Sequence, residues 1–330
     1  MNALYFSDML DETIQCALCP KACKISPDRK GLCRVRENKN GKAAIPYYGF
    51  VTSAAVDPIE KKPLYHYHPG TNIFSIGFHG CNLFCPFCQN FSISQSTQSP
   101  YTRFSPREIM DMARKAGLKQ VAYTYSEPLV HTEFITDCME LAKKSGIDNV
   151  LVTNGCINEK PAEDILALTS AVNVDLKCYS EKKYAEILGG SLSAVTHFIK
   201  KAWEKNVHIE ITTLVVTNFN DNEEELTQCG EFIRDISPQI PWHLSAYHPA
   251  YKWTELPTNP AFLHDIAEKA REDLSYVYVG NIAGAKNDTY CRYCKGLLVS
   301  RKNYTVNATS LLLQGENYVC AHCGNTAYFR

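Results

Sequence analysis

From about residue 72 to residue 280 the chain alternates short apolar runs with amphipathic stretches, and no other feature constrains the fold as much. The candidate strands are Asn72–Phe78, Gln120–Tyr125, Asn149–Thr153, Val172–Leu176, His208–Val216, Trp242–Tyr247 and Tyr276–Val279. They are rich in β-branched and aromatic residues, and most are bounded by Gly, Pro or Asn. Between them lie candidate helices at Pro106–Ala116, Thr132–Lys144, Pro161–Thr169, Leu192–Lys205, Glu223–Ile236 and Ala261–Glu272. Several carry apolar residues at i, i+3, i+4 spacing after a Pro or acidic start. Strand–helix repetition of this length indicates βαβ units around a parallel sheet. The expected class is α/β, a partial or full parallel (β/α) barrel, with a doubly wound open sheet as the alternative. In both, ligands gather at the carboxyl ends of the strands.

The two ends break this pattern. Residues 1–70 hold four cysteines, a Lys/Arg/Asn-rich patch at 34–42 and several prolines, and are expected to be loops around a metal. Residues 288–330 carry Cys291-R-Y-Cys294 and Cys320-A-H-Cys323 around a short Thr/Val/Asn stretch, which reads as two knuckles flanking a β-ribbon. The expected organisation is therefore a Cys-rich metal-binding extension (1–70), a barrel (71–287) and a small zinc-ribbon-like module (288–330).

Composition excludes some functions. Apolar residues make up 45% and charged residues 21% of the 330, with a net charge of −1. Nothing draws such a chain electrostatically to nucleic acid or to an anionic membrane. No apolar run approaches the ~20 residues of a membrane helix, and the N-terminus lacks a basic start followed by an apolar stretch. A cytoplasmic location is expected, with neither nucleic acid nor membrane as partner. In a reducing compartment, fifteen cysteines are expected as metal ligands rather than disulfides. Eleven of them fall into three groups, while Cys138, Cys156, Cys178 and Cys229 stand alone as small apolar fillers.

The central group, Cys81-x3-Cys85-x2-Cys88, lies just after the first strand. A structural zinc site takes four ligands, so three thiols on one loop suggest a centre with an open position. Thiolates select iron–sulfur clusters, zinc or copper(I). A cubane cluster held by three cysteines keeps one iron free for a small chelator. The plainer readings are a zinc site completed by His79, or three buried thiols. Cys291, Cys294, Cys320 and Cys323 form a four-ligand zinc-ribbon pattern with a structural role, a rubredoxin-like iron being the alternative. Cys16, Cys19, Cys23 and Cys33 can hold zinc or a second [4Fe–4S] cluster, since their spacing matches neither a standard finger nor the ferredoxin run.

C-x3-C-x2-C with Phe87 before the last cysteine resembles the radical S-adenosylmethionine (SAM) superfamily. Further motifs follow in order: Tyr123-Thr-Tyr-Ser-Glu-Pro128 in the place of Gly-Gly-Glu-Pro, then Thr153-Asn-Gly155, Asp175-Leu-Lys177 and Ala246-Tyr-His-Pro249. Over about 72–285 the series is most similar to the pyruvate formate-lyase activating enzyme branch. With both Cys-rich ends it resembles the AmmeMemoRadiSam-system radical SAM enzymes. The resemblance implies that Cys81, Cys85 and Cys88 hold a [4Fe–4S] cluster whose free iron is chelated by SAM. One electron then cleaves SAM to methionine and a 5′-deoxyadenosyl radical, which takes hydrogen from a substrate. It further implies that Phe87 packs on adenine, that Ser126 and Glu127 grip the SAM ammonium, and that Thr153 and Asn154 line the ribose side. Lys177 would pair with a carboxylate of SAM or substrate and Asp175 would accept from it, a strand-end salt bridge being the alternative, and His248 would contact SAM. Val152 stands where the branch often has an aspartate that helps bind a cation, so that cation site is not expected.

The function that follows is a radical SAM oxidoreductase of the activating-enzyme kind. Its expected partners are an electron donor such as flavodoxin or ferredoxin and AmmeMemo-type proteins, and its cofactors are [4Fe–4S], SAM and zinc. The alternative is a non-catalytic iron–sulfur or zinc protein, an electron carrier or scaffold. Against it stand the barrel texture and the series Glu127, Lys177, His248.

Overall fold

The computed structural model describes residues 3–302, 304–315 and 317–330. At its centre is an eight-stranded sheet. We label its strands β1 (Ser53–Pro58), β2 (Asn72–Gly77), β3 (Gln120–Thr124), β4 (Asp148–Thr153), β5 (Ala171–Asp175), β6 (His208–Val215), β7 (Trp242–Ala246) and β8 (Val277–Gly280). Each strand hydrogen-bonds to the next in sequence; β1 runs antiparallel to β2 and all later pairs are parallel. An order with no reversal sets aside the doubly wound sheet, which needs a switch point. Among the described residues β1 and β8 remain unpaired edges, so the barrel is partial.

Helices α1 (Pro106–Lys115), α2 (Thr132–Lys144), α3 (Glu159–Leu166), α4 (Leu192–Glu204), α5 (Glu223–Ile236) and α6 (Pro260–Asp273) fill the crossovers. Their starts are fixed by side-chain caps where the sequence offers them. Ser105 and Glu108 form a reciprocal capping box on α1, and Asn222 accepts from the Glu225 amide on α5. Their apolar stripes (Phe134, Ile135, Phe198, Ile199, Phe232 and Ile233) are buried in one continuous core with the strands. None of the helices is long and apolar enough to cross a membrane.

Along each strand alternate residues face the barrel interior. Low in the barrel these are small or apolar. Ile73, Ala122, Val150 and Ala171 pack on Ile59, Leu64 and Tyr67, so the segment after β1 plugs the floor. Higher up, Thr124, Val152, Asn173, Asp175, Thr212 and Ser245 line a cavity at the carboxyl ends. The change from apolar to polar two residues further along β3 (Ala122 to Thr124) and β5 (Ala171 to Asn173) turns a filled barrel floor into a binding cup.

The N-terminal segment is more regular than its composition suggests. Phe6–Asp8, Ile14–Cys16 and Lys24–Ile25 form a small antiparallel sheet, and Glu37–Lys39 pairs with Lys42–Ala44. β1 itself belongs to the stretch read as irregular. At the C-terminus, Thr289–Tyr290, Leu297–Lys302 and Thr305–Asn307 form one ribbon, and Leu311–Gln314 pairs with Asn317–Cys320. Leu298, Val299, Leu311, Ala327 and Phe329 give this part its own small core.

Candidate active site

The loop after β2 carries Cys81, Cys85 and Cys88, and all three line the cavity at the strand ends, about 290 Å³ in size. Cys81 and Cys85 are buried and Cys88 is half-buried. The Leu83 amide donates to Cys81 Sγ at 3.3 Å, and Asn154 Nδ2 does so at 3.6 Å. Burial pushes the Cys85 thiol up to about 12, and the Lys177 charge offsets this only partly. Burial drives the Cys81 thiol well above its ordinary value, and Glu127 adds to the shift. Burial of this kind disfavours a free thiolate at Cys81 and Cys85, and a bound metal cation would offset it.

The loop after β3 takes an uncommon backbone path. Tyr125 and Ser126 have φ of +54° and +62°, the left-handed region that normally selects glycine. Side chains hold them there. Lys62 Nζ donates to the Tyr125 hydroxyl at 3.1 Å and pairs with Asp57 at 2.7 Å, and Ser126 Oγ donates to the Gly80 carbonyl. The chain thus reaches a glycine-type conformation without glycine, and both residues line the cavity.

Glu127 departs from its expected place. It is fully buried and is not among the residues lining the cavity. Its carboxylate accepts from Thr153 Oγ1 at 2.7 Å, Leu129 N at 3.0 Å and Asn154 N at 2.8 Å. Burial raises it to about 7 despite these three donors. These bonds tie the β4 loop to the β3 loop. The loop after β4 is accordingly ordered: Thr153 and Asn154 line the cavity, and Asn154 Nδ2 donates to Asn82 Oδ1 at 2.9 Å.

Asp175 and Lys177 also line the cavity, 3.2 Å apart. Burial alone would lower the Lys177 ammonium; Asp175 and then Cys85 outweigh it and hold it above the ordinary lysine range. Phe87 lines the wall and packs on Phe219 at 4.9 Å and edge-on to Trp253 at 6.2 Å. His248 is exposed, lies outside the lining and shares a 3.0 Å hydrogen bond with the Asn281 carbonyl. That partner, in the turn after β8, holds the imidazole off the cup.

The remaining cavity walls were not singled out from sequence. Asn173, Thr212 and Ser245 sit on the inner face, with Thr212 Oγ1 donating to Asn173 Oδ1 at 2.9 Å. Their signal was available, since Asn173 and Asp175 alternate within an otherwise apolar strand.

The description "Radical SAM superfamily" matches residues 75–229 of this chain. An uncharacterized protein of Methanocaldococcus jannaschii is 37% identical over 329 residues, covering 98% of this chain and 97% of its own. Pyruvate formate-lyase 1-activating enzyme of Escherichia coli K12 is 26% identical over 196 residues, 57% of this chain and 79% of its own. The chain belongs to the radical SAM superfamily, in its pyruvate formate-lyase activating enzyme-like branch. Among solved structures, Streptococcus suis SuiB bound to S-adenosylmethionine shares the fold, with a TM-score of 0.51 and 16% identity over 64% of this chain. That match spans about half the length of SuiB, 52%.

Radical SAM membership makes the chain an enzyme and implies a [4Fe–4S] cluster and SAM; the non-catalytic reading is set aside. The donor set fits that cluster, with three thiols on one loop facing a cup that has room for a ligand. Elsewhere, the Cys291, Cys294, Cys320 and Cys323 sulfurs all lie within 4.8 Å of one another, a group able to hold a metal ion. Cys16, Cys19, Cys23 and Cys33 line a separate cavity together with Arg36, Asn82 and Val130.

Proposed function

We propose that Cys81, Cys85 and Cys88 bind the [4Fe–4S] cluster and that SAM occupies the cup above it, chelating the iron without a cysteine. The observation that carries this reading is that the three thiols and the Ser126, Thr153, Asn154, Asp175 and Lys177 side line one cavity. When bound, the cluster supplies the electron that cleaves SAM and so generates a hydrogen-abstracting 5′-deoxyadenosyl group. The chain's own residues bind and orient. The left-handed Tyr125–Ser126 backbone offers its peptide groups to the SAM ammonium, the task first expected of the Glu127 side chain. Glu127 fixes the Thr153–Asn154 loop on the ribose side. Lys177 presents a cation to a carboxylate of SAM or substrate, with Asp175 orienting it. Phe87 forms an apolar wall for adenine, and the buried cup keeps water from the reacting centre. His248 is not assigned a contact.

The substrate class follows the activating-enzyme branch: an activating-type oxidoreductase that takes hydrogen from a partner protein or small molecule. The narrower reading is an AmmeMemoRadiSam-type enzyme working with AmmeMemo-type partner proteins; it rests on the resemblance of both Cys-rich ends. A one-electron donor of the flavodoxin or ferredoxin kind supplies reductant. The C-terminal four cysteines hold zinc, in keeping with Sγ–Sγ separations of 3.7 Å between Cys291 and Cys323 and between Cys294 and Cys320. We also take residues 1–70 and 288–330 as metal-binding parts flanking the catalytic barrel of a cytoplasmic enzyme.

The test is anaerobic reconstitution with iron and sulfide, reduction, addition of SAM and quantification of 5′-deoxyadenosine. The wild type is expected to form it and Cys85→Ala to form none. A fully loaded protein without product, or an active Cys85→Ala, contradicts the reading.

A further inference from the structure

We infer that Cys16, Cys19, Cys23 and Cys33 hold a second iron–sulfur cluster, rather than a single zinc ion, lodged directly against the loop that carries Cys81, Cys85 and Cys88. The argument starts from spacing. A tetrahedral zinc with bonds of about 2.3 Å draws its four sulfurs to within about 3.8 Å of each other. The C-terminal group has that geometry, with two Sγ–Sγ separations of 3.7 Å. Among the described residues it is the group of three or more potential ligands converging within 4.8 Å. The sulfurs of Cys16, Cys19, Cys23 and Cys33 surround a cavity without converging to that distance. Those of Cys81, Cys85 and Cys88 behave in the same way. A cubane cluster requires the wider arrangement because each thiolate binds a different iron. The N-terminal and central groups are therefore alike in lying outside the compact spacing of the C-terminal one. This comparison rests on the proposed function for what the central tripod binds.

The chemistry of the wall agrees. Cys16, Cys19 and Cys33 are 7%, 9% and 8% exposed, and none of the four is in a disulfide. Leu18, Ile25 and Val130 line the same cavity, a water-poor shell suited to an oxygen-sensitive cluster. Arg36, 1% exposed, is in that wall too, and its 2.9 Å pair with Glu133 fixes it in place.

The two sites also share a wall. Asn82, the residue after Cys81, lines the N-terminal cavity and is hydrogen-bonded to Asn154 of the cup. On the other side of Cys81, a Cβ at Gly80 would lie 2.5 Å from the Cys33 carbonyl oxygen, so only glycine lets the loops approach this closely. Gln95 joins them again, accepting from Arg34 at 3.0 Å and donating to the Leu83 carbonyl at 3.1 Å. Neighbouring residues Cys81 and Asn82 thus line the two cavities, one each.

Metal counting on the full chain tests this. The protein is reconstituted anaerobically with iron, sulfide and zinc, and each element is measured per chain. The expected wild-type content is about eight iron, about eight sulfide and about one zinc. Replacing Cys81, Cys85 and Cys88 together by Ala should leave about four iron and a visible charge-transfer band, because the N-terminal group stays whole. Cys23→Ser, at a half-buried position, should lose the other half of the iron and keep the zinc; it decides the matter if the triple variant does not fold. About four iron and two zinc in the wild type, or full iron in Cys23→Ser, overturns the inference and leaves SAM cleavage by the tripod standing. Full iron without 5′-deoxyadenosine would instead overturn the proposed function and spare this one.

Discussion

Glu127 is the residue whose surroundings differ most from the sequence expectation: it is fully buried and bonded to Thr153, Leu129 and Asn154. An acidic residue in a ligand-binding motif invites a direct contact, yet here it ties two loops together from below. Its burial sets a pH dependence. The folded group titrates near 7, raised above an ordinary 4.5, so the folded state takes up a proton between those values before the unfolded state does. Its contribution to stability is full below about 4.5 and is lost as the pH rises through about 7. Urea unfolding of wild type and Glu127→Gln should therefore diverge as the pH falls from 8 to about 5.5, the wild type gaining relative to the variant. A pH-independent difference would show that the carboxylate is not desolvated. Cys81, Cys85, Cys88, Phe87, Thr153, Asn154, Asp175 and Lys177 do gather at one cavity, a placement the sequence made legible because motif spacing sets side chains on strand ends. The left-handed path at Tyr125–Ser126 was not, because a φ angle held by Lys62 and Asp57 is written in tertiary contacts, sixty-odd residues away.

At the scale of elements, helix starts are controlled locally and should respond locally. Asn222 caps α5 by accepting from the Glu225 amide at 2.9 Å. Asn222→Ala is expected to cost about 1 kcal/mol in chemical denaturation and Asn222→Ser far less, with SAM cleavage unchanged in both. Seven parallel strands and six helices were readable within a few residues because their apolar periodicity and bounding Gly, Pro and Asn residues agree with the tertiary structure. β1 was not readable. Its Ser-Ala-Ala start is exposed and has little strand propensity, and pairing with β2 rather than sequence makes it a strand. α3 begins at Glu159, two residues before the expected Pro161, because proline is tolerated throughout the first helical turn.

The whole molecule is closed from below by its two ends. Glu210, buried on β6, accepts from the Tyr65 and His66 amides at 3.0 and 2.7 Å and meets the rings of His208 and His243. The C-terminal part locks onto this floor. The Arg330 amide donates to the His66 carbonyl at 2.9 Å, Arg301 donates to the Tyr65 carbonyl at 2.6 Å, and the hydroxyls of Tyr278 and Thr289 are 2.6 Å apart. Breaking the C-terminal four-cysteine group with Cys320→Ser should therefore lower the melting temperature of the whole chain by several degrees. It should also speed proteolysis within 288–330. A barrel that melts as before would mean that the two parts fold independently.

The central claim is that three sulfurs leave one iron corner open to SAM. Electron paramagnetic resonance of the reduced cluster, recorded as SAM is titrated in, tests it most directly. The account predicts that the signal shifts to a new set of g values and that the amine and carboxylate of labelled SAM couple to the iron. A spectrum that stays unchanged through saturating SAM, or a fourth side chain found bound to that corner, would contradict it.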